Sequence, residues 1–152
     1  MITLENVLIA KENRVARREL FQLNQALPVL TFSLNIPGSV KDSNRIRKLF
    51  RAGIERIEQE FLIEKSQNFY EETGLYSFFL IREESNRLKE ICCQIENEGS
   101  FHRLWDLDVN DSTGKAVALA ERSQGRKCFL CDQLSSQCMR NQSHSQEEVF
   151  RQ

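Results

Sequence analysis

Two aspartates, Asp106 and Asp108, stand two positions apart in the segment RLWDLDV. If that segment is a strand, both carboxylates leave the same face, with their backbones about 6 to 7 Å apart. They can then converge on one divalent cation. A hard cation such as Mg²⁺ takes oxygen ligands and fills its other positions with water and substrate phosphates, which suits phosphoryl or nucleotidyl transfer. Taken alone, the spacing is equally that of a solvated strand face carrying two charges. A second set follows, Cys128, Cys131, Cys138 and His144, in the pattern C-x2-C-x6-C-x5-H. These donors and spacings are compatible with a tetrahedral zinc site. In a stretch so poor in large apolar side chains, a metal would supply the ordering that a core does not. The competing reading is ordinary reduced cysteines, with His144 at the surface or against a phosphate.

Cations lie beside both motifs. Lys41, Arg103, Arg126, Lys127 and Arg140 are the residue types that a polyphosphate ligand requires along with backbone N–H donors. Arg14, Arg17 and Arg18 form a further local cluster able to meet phosphates. His102 is a candidate base by type alone. Neither GxxxxGK[ST] nor GxGxxG occurs, so the common nucleotide-cradling loops are absent from the sequence.

The elements that must position these residues follow from periodicity. Residues 3 to 26 carry Leu4, Val7, Leu8, Val15, Leu20, Phe21 and Leu23 at roughly helical spacing and end before Pro28, which predicts a peripheral helical segment. From Val29, the residues Leu30, Phe32, Leu34 and Ile36 alternate with Thr31, Ser33 and Asn35 until Pro37-Gly38, a half-buried strand leading into a turn. Ile46, Leu49, Phe50, Ile54, Ile57 and Phe61 recur at three and four, so a core-facing amphipathic helix is expected over 43–62, with Asp42 or Ser43 to cap it. Its N-terminus follows directly on PGSVKD, where backbone N–H groups and the helix dipole would favour an anion.

Leu75 to Ile81 reads as a strand. LKEICCQI, over 88–95, fits either period, and the alternation of Ile91, Cys93 and Ile95 favours a strand with Cys92 and Cys93 as packing residues. Residues 103–109 and 115–119 flank the turn-rich NDSTG, which predicts an antiparallel hairpin. Residues 121–152 read as an irregular, polar tail. The expected fold class is therefore α+β, a single domain over 1–152 with a mixed or antiparallel sheet, the 43–62 helix on one face and an N-terminal helical segment.

Composition agrees with a folded chain. With 152 residues, 40% hydrophobic and 28% charged, and ten Phe, the protein can bury a core of its own. A formal net charge of −1 gives no global field toward nucleic acid or an anionic membrane. There is no leader-like start and no segment long enough to span a bilayer, so neither a nucleic acid nor a membrane partner is expected, and the cytoplasm is the simplest address. Five cysteines, an odd number, suit reduced thiols or metal ligands better than a disulfide framework.

Four blocks in order, LIAKENRVARREL, PVLTFSLNIPGSVKDS with the helix after it, RLWDLDV, and RKCFLC followed by CMRNQSH, resemble the citrate lyase holo-acyl-carrier-protein synthase family, the apo-citrate lyase phosphoribosyl-dephospho-CoA transferases. The resemblance spans nearly the whole chain. It implies transfer of the triphosphoribosyl-dephospho-CoA prosthetic group to a serine of the citrate lyase acyl carrier (gamma) subunit, with pyrophosphate leaving. It also implies that Asp106 and Asp108 hold Mg²⁺, that Lys41 and Arg103 clamp phosphates, and that Arg126 and Arg140 reach phosphates or the acidic carrier. The Cys and His segment, with or without zinc, would be a structural or docking element. The chain departs from the family pattern at His102, where GRLWD has glycine, so close backbone approach to phosphate is not expected there. Two alternatives remain at this level: a zinc-containing adaptor that binds an acyl carrier protein without chemistry, and a nucleotidyltransferase with another carrier.

Overall fold

The computed structural model describes residues 3–38, 40–99 and 101–118. The N-terminal segment is one helix, α1 (Leu4–Gln22), closed at its start by a capping box between Thr3 and Asn6. Strand β1 (Val29–Leu34) leads through the Pro37-Gly38 turn to α2 (Asn44–Glu60). There the Ser43 hydroxyl accepts the Ile46 N–H and so satisfies one of the free donors of the first turn. A hairpin follows, β2 (Ile63–Glu71) and β3 (Gly74–Ile81), then α3 (Ser85–Glu96), a 3-10 turn (Phe101–Leu104), β4 (Trp105–Asn110) and the short β5 (Ala116–Val117). Among the described residues, five strands form one sheet in the order β2-β3-β1-β4-β5, and every pairing is antiparallel.

The α+β expectation holds, with the sheet antiparallel rather than mixed. One correction concerns 88–96, expected as a strand and found as α3. The buried apolar residues are Leu88, Cys92 and Ile95, which recur at four and three, while Ile91 and Cys93 of the apparent alternation are only half-buried. Cys92 therefore packs from a helix, and Cys93 belongs to that helix too. The Glu84 carboxylate accepts the Arg87 N–H and starts α3, a helix signal outside the eight residues whose alternation suggested a strand. A second difference is β2, absent from the sequence reading because IEKSQNFYE is an edge strand with mostly exposed side chains.

The sheet separates two apolar layers. Leu30, Phe32, Leu75, Phe79, Ile81, Trp105, Leu107 and Val109 point toward α2 and α3 and form the main core with Ile46, Phe50, Ile57, Leu88, Cys92 and Ile95. Each such burial contributes about 1.5–3 kcal/mol. Within it, Phe32 stacks on Phe50 at 5.2 Å and meets Trp105 edge-on at 6.1 Å. The Trp105 indole donates to the Leu49 carbonyl at 3.1 Å. On the other face Phe21 of α1 joins Val29, Tyr76, Phe78 and Leu80 in a smaller cluster. Gln22 then pins the end of α1 by donating to the carbonyls of Leu27 and Asp111. Full burial in α1 is confined to this C-terminal end, Phe21 and Gln22, so the earlier turns stand over the sheet without sealing it.

Candidate active site

Alternation along β4 places Trp105, Leu107 and Val109 in the main core, which sends Asp106 and Asp108 to the face beneath α1. Asp106 is half-buried and Asp108 exposed. In the β1–β4 ladder Asp106 lies opposite Ser33 and Asp108 opposite Thr31. The same-face relation read from the spacing is thus realised.

Asp106 lines a cavity of about 360 Å³ between the first turns of α1, the end of β1 and the β2–β3 turn, together with Arg14, Ser33, Asn35, Lys41 and Gly74. Lys41 reaches this cavity from the turn after β1, and its Nζ donates to the Ile36 carbonyl at 2.6 Å. Burial pushes its ammonium below the ordinary lysine value. Two residues expected together, Lys41 and Asp106, therefore line one cavity. Among the described residues of the PGSVKD turn, Lys41 is the one that lines the cavity; the first turn of α2 does not reach it.

Arg103 is exposed on the turn before β4 and is not part of the cavity wall. The His102 Nδ1–H meets the Ile95 carbonyl at 2.8 Å, and its ring lies 4.1 Å from that of Trp105. These contacts tie α3 to β4. Arg126, Arg140, Cys128, Cys131, Cys138 and His144 lie outside the described residues. Among the described residues, no group of three or more His, Cys, Asp or Glu is arranged to hold a metal.

Arg14 is the cavity residue that spacing alone left unplaced. The signal for it is the inward stripe of α1, where Val7, Ala10, Arg14, Arg17, Arg18 and Phe21 recur at three and four and are all at least partly buried. Arg14 carries a cation where an amphipathic helix ordinarily carries a hydrophobe. Its guanidinium lies over the ring of Tyr76, 4.2 Å from the centroid. Burial lowers its pKa, against the opposing pull of Tyr76, Glu71, Asp106 and Asp108.

A family model described as apo-citrate lyase phosphoribosyl-dephospho-CoA transferase matches residues 2–152. The chain belongs to this family. Relatives carrying that name include proteins of Citrobacter koseri, 23% identical, and of Shigella boydii and Escherichia coli, each 24% identical. Each alignment covers 98% of this chain and 85% of the relative. As a phosphoribosyl-dephospho-CoA transferase family member the chain is an enzyme, which favours the catalytic reading of the aspartate face over the adaptor. Among the described residues, no helix is long and apolar enough to cross a membrane.

Proposed function

We propose that this transferase moves the phosphoribosyl-dephospho-CoA group from its triphosphate precursor, triphosphoribosyl-dephospho-CoA, to a serine hydroxyl of the citrate lyase acyl carrier (gamma) subunit. The serine oxygen forms a bond to the innermost phosphorus while the bond from that phosphorus to pyrophosphate breaks. One carboxylate of the aspartate pair orients the hydroxyl and takes up its proton. The observation that carries this reading is the meeting of Asp106 and Lys41, far apart in sequence, in one cavity of a member of this family.

The donor set of the aspartate face fits Mg²⁺. Asp106 and Asp108 offer hard oxygens on one strand face, and with only two carboxylates the remaining positions fall to water and phosphate. When bound there, the ion would neutralise charge on the phosphate oxygens as pyrophosphate departs. Lys41 holds the polyphosphate as a point charge, with its contact to the Ile36 carbonyl fixing its direction. At about 360 Å³ the cavity is near the small end of ligand pockets. It takes the phosphate end of the donor and leaves the dephospho-CoA arm outside.

Arg103, Arg126 and Arg140 belong to the reach toward outer phosphates or the carrier, and Cys128, Cys131, Cys138 and His144 to a zinc-ordered docking element. We assign the reaction to the cytoplasm. The test is incubation of the full chain with the triphosphate precursor, apo carrier subunit and Mg²⁺, followed by intact mass of the carrier and assay of pyrophosphate. The carrier should gain one phosphoribosyl-dephospho-CoA unit. An unchanged carrier mass would overturn the reading. Metal analysis at one zinc per chain would support the Cys and His site independently.

A further inference from the structure

Arg14 and Arg17 enter the same interface from neighbouring turns of α1 and reach opposite states. Arg17 is engaged through one nitrogen. Its Nη1 donates to Glu71 Oε1 at 2.7 Å and to the Tyr76 hydroxyl, and its guanidinium faces the ring of Phe69 at 5.1 Å. Arg14 forms no hydrogen bond with any described residue. Its Nε is buried without a partner, its Nη2 lies against Gly74, where an added Cβ would come within 3.6 Å, and its Cζ lies over the ring of Tyr76. Tyr76 itself is nearly fully buried.

A buried guanidinium nitrogen without an acceptor is costly, because it has lost water and gained nothing in return. Here the loss accompanies preorganisation. The guanidinium lies over an aromatic ring whose hydroxyl is held by Arg17, and the cavity at its side also contains Lys41 and Asp106. A planar fork of donors held in this way matches a phosphoryl group, which supplies several acceptor oxygens at once.

We infer that Arg14 is a phosphate-binding residue that grips the polyphosphate of the donor, and that Tyr76 and Arg17 are its positioning residues. This rests on the transfer reading for the identity of the ligand, while the anion site itself stands on the geometry. Glycine at position 74 is part of the same device. Its φ of 146° disfavours any side chain, and the backbone there comes close to Arg14.

The probe is inorganic tripolyphosphate, titrated calorimetrically into the full-length protein, with transfer kinetics measured in parallel. Wild type should bind it, and Arg14→Gln should bind at least about tenfold more weakly, as expected for loss of charge-assisted hydrogen bonds. Arg14→Lys keeps the charge and stem but not the fork, and should fall between them. In transfer assays Arg14→Lys should raise the KM for the donor and leave that for the carrier unchanged, a split that a merely structural arginine would not produce. Wild type that gives no binding heat, or Arg14→Gln that binds like wild type, would overturn the inference and leave the transfer reading standing. Arg14-dependent binding by a protein that modifies no carrier would support the anion site and sink the transfer reading.

Discussion

Lys89 and Glu96, about two turns apart on α3, hold the two backbone groups of a single residue. The Lys89 Nζ donates to the Leu107 carbonyl at 2.9 Å, and the Leu107 N–H donates to Glu96 Oε2 at 2.9 Å. Both side chains are buried, at 3% and 1% exposure, which for these residue types requires such partners. Leu107 stands between Asp106 and Asp108 on β4, beyond the short reach of β5, which pairs only with Val109 and Asn110. The helix thus completes the strand edge that carries the catalytic candidates. Lys89→Met and Glu96→Ala should each cost about 1–3 kcal/mol in urea denaturation, because each leaves a buried backbone group unpaired. Glu96→Gln, whose amide oxygen can still accept, should cost less. An Ala variant as stable as wild type would remove the clamp from the account.

Asp106→Asn and Asp108→Asn should each lower transfer by at least about a hundredfold, the order expected when a preorganised charge interaction at a reacting phosphate is lost. Neither carboxylate lies in the main core, so the melting temperature should stay near that of wild type. Near-normal turnover in both variants, read by intact mass of the carrier, would refute the metal-aspartate role.

Lys41 should impose an alkaline limit on donor binding. Burial lowers its pKa from 10.5, so the native protein releases this proton at a lower pH than the unfolded chain. Lys41 therefore detracts from stability at neutral pH, and the deficit shrinks as pH rises from the folded value toward the unfolded one. Over that same interval the phosphate loses its cation. The donor KM should rise at pH values where an ordinary lysine is still charged. Lys41→Arg, whose guanidinium stays protonated, should remove that rise; a KM profile identical in the two proteins would contradict it.

Gly53 on α2 admits the ring of Phe32 against the helix backbone. A Cβ at that position would lie 2.2 Å from Phe32 Cζ, and the ring has little room to yield between Phe50 and Trp105. Gly53→Ala should therefore destabilise by about 1–3 kcal/mol, despite a helix-propensity gain of up to about 1 kcal/mol. The denaturation midpoint measures the balance, and a stabilised variant would show that the core shifts more easily than its packing implies.

Cys92 should resist alkylation in the native protein. It is fully buried in the main core, and burial pushes its thiol well above the ordinary range. Peptide mapping after iodoacetamide treatment should find Cys92 modified only once denaturant is added. Rapid labelling without denaturant would place it outside the core.

Some of this was legible in local pattern. The alternation of VLTFSL and the three-four repeat from Ile46 to Phe61 lie within single elements, and each became the expected strand or helix because one face had to be buried. The same-face relation of Asp106 and Asp108 is likewise a property of one strand. Where the local signal was short or polar, it misled or said nothing. LKEICCQI fits two periods, and the choice fell to contacts of Leu88, Cys92 and Ile95 with distant residues. IEKSQNFYE buries too little to show a period, and it is a strand because β3 offers it a hydrogen-bonding edge.

The sequence by itself determined the family, most of the elements and the face on which the aspartates stand, because these depend on residues close together along the chain. The tertiary structure decided which cations share a cavity with Asp106. Arg14, Lys41 and Asp106 come from α1, the loop after β1, and β4, and they share a cavity only because β1 lies between β3 and β4 while α1 crosses the face opposite α2 and α3. That meeting arises from strand order and helix packing, which are set by long-range burial rather than by any local period.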